Sequence, residues 1–173
     1  MRLSVLWRGL AGHPLHPPLT DATIGIYTLA TAMALLSRLG VSEVNTATVW
    51  WIALVAGLVT TVPTALTGFF DWLEIARGTP LWRTATAHMA AMLIATIFFA
   101  VTAGAGHNNY VDGEVSGSSL VLTLVGFAVL TLGGWLGGSV VYVHGMRVLN
   151  LVNEPTRRAA APVEHPEQRD AEA

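Results

Sequence analysis

Four stretches of this chain, approximately residues 19–39, 46–70, 84–104 and 119–142, are long, apolar and nearly free of ionisable side chains. A backbone placed in hydrocarbon must satisfy its own hydrogen bonds, so a run of this kind crosses a bilayer as a helix; about 20 residues at about 1.5 Å each cover about 30 Å. Four such runs predict an all-α integral membrane four-helix bundle whose N- and C-termini share one side. The 53% hydrophobic and 12% charged composition agrees, because a water-soluble domain of 173 residues needs a more polar surface.

Arginine placement sets the expected orientation, since cytoplasmic loops carry the excess of basic residues. Arg2, Arg8, Arg77, Arg83, Arg147, Arg157, Arg158 and Arg169 fall on one side of a four-span arrangement, and Arg38 falls on the other with Glu43, Asp112 and Glu114. Both termini are therefore expected to be cytoplasmic, in a multi-pass protein of the bacterial inner (cytoplasmic) membrane. Trp50 and Trp51 mark the outer end of the second span, Trp72 its inner end and Trp82 the start of the third. Leu3, Leu6, Trp7 and Leu10 recur at helical spacing, which predicts a short interfacial helix, with no cleavage signal. Three segments follow: residues 1–18 as that helix and a His-Pro-Leu-His-Pro entry loop, 19–153 as the four-span domain, and 154–173 as a polar tail too poor in apolar residues to fold. Residues 105–118 read as a solvated loop, and no sequence repeat is evident.

Composition excludes several functions. The net charge of −2 supports no basic groove, so nucleic acid is not a partner. The absence of cysteine removes disulfides, thiolate-bound clusters and covalent haem attachment, leaving histidine, carboxylate, methionine or backbone to hold any metal.

Polar residues gather at the cytoplasmic end. At 100° per residue, Gly126, Gly133, Gly137 and His144 of the last span fall within about 20° of one line, and Gly57, Thr64, Gly68 and Asp71 of the second within about 40°. His88, Met92, Ala95, Phe99 and Thr102 form one stripe of the third span, and Asp21, Gly25, Thr28 and Ala32 one of the first. His13 and His16 precede the first span, each followed by a proline that disfavours helix at the histidine. In polyproline II form they stand about 9 Å apart, and in a turn within about 7 Å, near enough to converge.

Each feature has a plainer explanation beside the functional one. His-Pro-Leu-His-Pro is also a rigid way into a helix. Asp71 is also a cap, or a partner for Arg83. Met92 on an apolar stripe is foremost a packing residue, and the glycines are foremost positions of close helix contact, with room for a flat cofactor as the lesser reading. His88 and His144 could serve interhelical hydrogen bonding alone, but imidazoles inside membrane spans point by default to metal ligands, haem ligands or proton carriers.

Taken together, Gly12-His13-Pro14-Leu15-His16-Pro17, Gly68-x-x-Asp71-Trp72, His88 and Gly133-Gly134-x-x-Gly137-Gly138-x-x-Val141-Tyr142-x-His144-Gly145 resemble an uncharacterised family of small bacterial membrane proteins, a domain of unknown function, over residues 9–150. That resemblance implies four spans. Relatives joined to Rieske-type iron–sulfur domains imply electron transfer. The leading expectation is a small membrane protein that holds b-type haem, or otherwise Fe, Cu or Zn, through His13, His16, His88 and His144, with Asp71 as a further metal-site residue that orients a ligating imidazole. No catalytic residue is assigned. The bilayer, a redox protein or respiratory complex, and further copies of the chain are the expected partners. The alternative is a cofactor-free structural or assembly subunit of a larger complex. A proton relay ranks last, because the outer half offers only hydroxyls such as Thr28 and Thr102.

Overall fold

The computed structural model describes residues 14–146. His13, the expected interfacial helix, Arg147 and the segment 154–173 lie outside them. Among the described residues five helices follow in order: α1 His16–Arg38, α2 Glu43–Leu73, α3 Pro80–Ala105, α4 His107–Val111 and α5 Gly117–Tyr142, with no strand. Of these, α1, α2, α3 and α5 are long and apolar enough to cross a membrane. The all-helical, four-span expectation therefore holds.

The helices open at His16, Glu43, Pro80 and Gly117, a little before the 19, 46, 84 and 119 expected from hydropathy. Local chemistry sets these starts. The first backbone N–H groups of a helix have no partner within it, so proline costs nothing there. Pro17 and Pro18 thus occupy the first turn of α1, and His16 becomes its first residue, where Pro17 had suggested a non-helical histidine. Thr79 accepts from the Trp82 amide at 3.1 Å with Pro80 opening α3, and Ser116 accepts from the Ser119 amide at 3.2 Å ahead of α5. Gly40, Gly78 and Gly113 adopt positive φ in the connections, a conformation glycine enters without a Cβ penalty.

The segment expected as a solvated loop contains α4. Its Tyr110 stacks on Trp51 with ring centres 4.8 Å apart, and Trp51 Nε1 donates to the Ala103 carbonyl at 2.9 Å. Trp50, expected only to mark a membrane boundary, is wholly buried and donates to the Thr123 hydroxyl at 3.2 Å, tying α2 to α5. The end of the bundle away from His16 is thereby closed by aromatic rings.

The four spans form two close pairs. α1 packs most extensively on α2 and α3 on α5, while the pairs meet along a less extensive seam formed by α2 with α3 and α1 with α5. Although no repeat shows in the sequence, the pairs are built alike. In the first, the Tyr27 ring lies over Gly57, where an added Cβ would come within 2.5 Å of it. In the second, the Phe99 ring lies over Gly126, where the same atom would come within 3.1 Å. Across the seam these two rings stack at 3.9 Å with planes 8° apart, both buried. Phe99→Ala should accordingly cost about 3–5 kcal/mol in reversible unfolding from mixed micelles, the usual loss for a buried aromatic. Val101→Ala, at a position half exposed to the surroundings, should change little.

Candidate functional site

Eleven residues before Tyr27 and Phe99, their helices carry His16 and His88, so the equivalence of the two pairs extends to the histidines. His16, on α1, faces α2; its Nδ1 is 3.0 Å from the Thr64 carbonyl oxygen. His88, on α3, faces α5; its Nδ1 is 2.7 Å from the Gly133 carbonyl oxygen. A carbonyl only accepts, so the proton of each bond belongs to Nδ1. In a neutral imidazole that leaves the lone pair on Nε2.

Glycine makes both bonds possible. The Cβ of a helical residue tilts toward the N-terminus and overlies the carbonyl one turn earlier. Four residues beyond Thr64 stands Gly68, and four beyond Gly133 stands Gly137. A Cβ at Gly68 would come to 2.5 Å from Cε1 of His16, 2.9 Å from Nδ1 and 3.1 Å from Nε2. At Gly137 the distances to His88 would be 3.0, 3.1 and 3.7 Å in the same order. In both rings Cε1 lies nearest the glycine, followed by Nδ1 and then Nε2.

The rings meet between the pairs, with centres 6.4 Å apart and planes at 76°. Around His16 the Thr20 and Thr67 hydroxyls lie at 3.5 Å from Nε2 and Nδ1 respectively. Thr67 also donates to the carbonyls of Pro63 at 2.9 Å and Thr64 at 3.0 Å, and Thr23 shares a 3.0 Å hydroxyl contact with Thr64. Threonine thereby supplies hydrogen bonds next to Pro63, which lacks an amide proton inside α2. Asp71, buried on the same face of α2, lies within electrostatic reach of His16. The group that orients His16 through Nδ1 is the Thr64 carbonyl.

The other expected site residues divide. His144 lies in the turn after α5, with Nε2 3.0 Å from the Thr84 hydroxyl, one helical turn before His88 in sequence. Met92 packs its Sδ over Gly133, where an added Cβ would stand 2.6 Å away, in keeping with packing. His107, which was not among the expected site residues, is exposed beside Trp51, ring centres 5.1 Å apart. His13 lies outside the described residues. Among those described, no group of three or more His, Cys, Asp or Glu is arranged to hold a metal ion. The structure therefore offers two imidazoles and a nearby carboxylate. Sequence reasoning did not single out the Thr64 and Gly133 carbonyls, and it treated the glycines as general contact positions; a glycine four residues after a carbonyl on an inward face is the signal that could have found them.

A Gly68→Ala substitution should push the His16 ring off the Thr64 carbonyl and leave a buried imidazole N–H without its acceptor. The expected cost is about 1–3 kcal/mol in micelle unfolding. Gly25→Ala, where an added Cβ meets nothing within 4 Å, should be neutral or slightly stabilising.

A family described as Predicted membrane protein (DUF2231) matches residues 12–150. No curated protein and no solved structure matches the chain.

Proposed function

Because the chain belongs to the DUF2231 family of predicted membrane proteins, a description that carries no activity, we propose its function from the site: a multi-pass membrane protein that holds one transition-metal centre between the Nε2 atoms of His16 and His88 and serves as an electron-transfer accessory. One observation carries this reading. Two histidines in equivalent positions of two helix pairs each commit Nδ1–H to a backbone carbonyl, the arrangement that fixes tautomer and ring direction in metal-ligating imidazoles.

The spacing agrees. Metal–nitrogen bonds of about 2 Å, with roughly 1 Å more from each nitrogen to its ring centre, place two collinear imidazoles about 6 Å apart, centre to centre. The observed separation is 6.4 Å. A haem iron, which brings four nitrogens of its own, needs two axial imidazoles and no more; a bare Fe, Cu or Zn ion needs whatever the protein supplies. His13 remains a candidate donor on sequence grounds, and His144 a candidate whose present partner is Thr84. The site lies at the end of the bundle that carries Arg77 and Arg83, and the gathering of arginines there supports a cytoplasmic side. A redox protein or respiratory complex on that side is the corresponding partner.

The structural alternative draws on the same bonds, since an imidazole fastened to a helix carbonyl also clamps two helices. The two readings separate at His16→Asn and His88→Asn. The asparagine amide can still donate to the carbonyl from nearly the place of Nδ1, but has nothing at Nε2. Elemental analysis and absorption spectra of purified protein should show one metal or haem per chain, lost in either variant while the fold persists. Metal-free, colourless wild-type protein would leave the clamp as the role of these histidines.

A further inference from the structure

Resting on that two-imidazole reading, we propose that the centre is a single copper(I) ion, bound collinearly by His16 Nε2 and His88 Nε2 in the seam between the two helix pairs. The ligand count is the first reason. The described residues present no third His, Cys, Asp or Glu positioned for a metal, and the chain has no cysteine. Zinc takes four ligands in a tetrahedron, and calcium or magnesium six or more oxygens, so either would be left far short here. Copper(I), a closed-shell ion with good affinity for imidazole nitrogen, is stable with two donors in line. The 6.4 Å between ring centres is the separation of a collinear pair; the tetrahedral angle would bring the rings to about 5 Å with bonds of the same length.

Charge is the second reason. The cost of transferring an ion from water to a low-dielectric interior grows with the square of its charge, so a monovalent ion pays about a quarter of what a divalent one does. Neutral imidazoles add nothing to offset it. The buried carboxylate of Asp71 is within electrostatic reach of His16, and the single charge of copper(I) needs less compensation than that of a divalent ion. The second helix pair has valine at the equivalent place, Val140, three residues after Gly137 as Asp71 is three after Gly68. At these equivalent places the pairs contribute one imidazole each as donors, with the Asp71 carboxylate nearby in the first pair only.

The glycines are positioning residues for this ion. An added Cβ at Gly137 would stand 3.0 Å from Cε1 and 3.1 Å from Nδ1 of His88 and displace the ring from its present seat.

The test is anaerobic titration of purified full-length protein in micelles with a copper(I)–acetonitrile salt, against a chromophoric copper(I) chelator, followed by X-ray absorption at the copper edge. Expected are one copper(I) per chain, two nitrogen neighbours with the outer-shell pattern of imidazole, and no comparable retention of zinc(II). His16→Asn and His88→Asn should each abolish the stoichiometric copper. Gly137→Ala should weaken it about 10- to 100-fold, the usual effect of disturbing a ligand's support. His107→Ala, exposed beside Trp51 at the opposite end of the bundle, should leave it unchanged. A reconstituted haem with a Soret band lost in both Asn variants would overturn copper(I) and keep the two-imidazole centre. Copper that is retained in both Asn variants, or three or more protein donors in the absorption spectrum, would overturn the proposal. Failure to bind copper, haem or any other metal would overturn it together with the reading it rests on.

Discussion

The arrangement depends on a helix carbonyl that accepts a second hydrogen bond because the residue one turn later has no side chain. In hydrocarbon an unpaired polar group costs several kcal/mol, so a histidine drawn into a bundle must find a partner there. Thr64 with Gly68, and Gly133 with Gly137, each provide an exposed carbonyl and a flat seat beside it. The same bond satisfies the imidazole, joins two helices and selects which nitrogen keeps its lone pair. The clamp between helices and the proposed metal-binding role thus depend on one contact, and Asn substitution separates them because it keeps the donor and removes Nε2.

The duplicate form of this contact organises the rest. Within each pair an aromatic ring and an imidazole lie eleven residues apart on one helix, over glycines eleven residues apart on its partner. Between the pairs, like meets like: Tyr27 stacks on Phe99 and His16 approaches His88. Tyr27 also shares a 3.0 Å hydroxyl contact with Thr61, which Phe99 cannot make, and Asp71 stands where the other pair has Val140. The first pair is the more polar of the two. At the opposite end Trp50, Trp51 and Tyr110 close the bundle, so the imidazole pair belongs to one end of the molecule rather than to a path through it.

Much of this was legible in the residues. Four spans follow from the cost of peptide groups in hydrocarbon, and the stripe of Gly57, Thr64, Gly68 and Asp71 does face inward, with all but the part-buried Gly68 fully buried. His88 on the inward stripe of the third span was legible for the same reason. Which histidines meet was not, because helical periodicity assigns faces and leaves neighbours open. His144 shares a wheel position with Gly137, but α5 ends at Tyr142, so the 100° rule no longer applies and the ring goes to Thr84. His16 enters α1 because proline is tolerated in a first turn, against the general tendency of a residue before proline. The likeness of the two pairs was hidden because it resides in backbone: Thr64 and Gly133 are different residues offering the same carbonyl.

The most direct measurement of the central claim is nitrogen-detected NMR of metal-free protein labelled with 15N-histidine, with His16 and His88 assigned by substitution. The account predicts that Nδ1 of each ring carries a proton, held on the carbonyl, while Nε2 shows the resonance of an unprotonated, lone-pair nitrogen. A proton on Nε2 and a bare Nδ1 in either ring would contradict it, since the carbonyl bond and the lone pair on Nε2 would then both be lost.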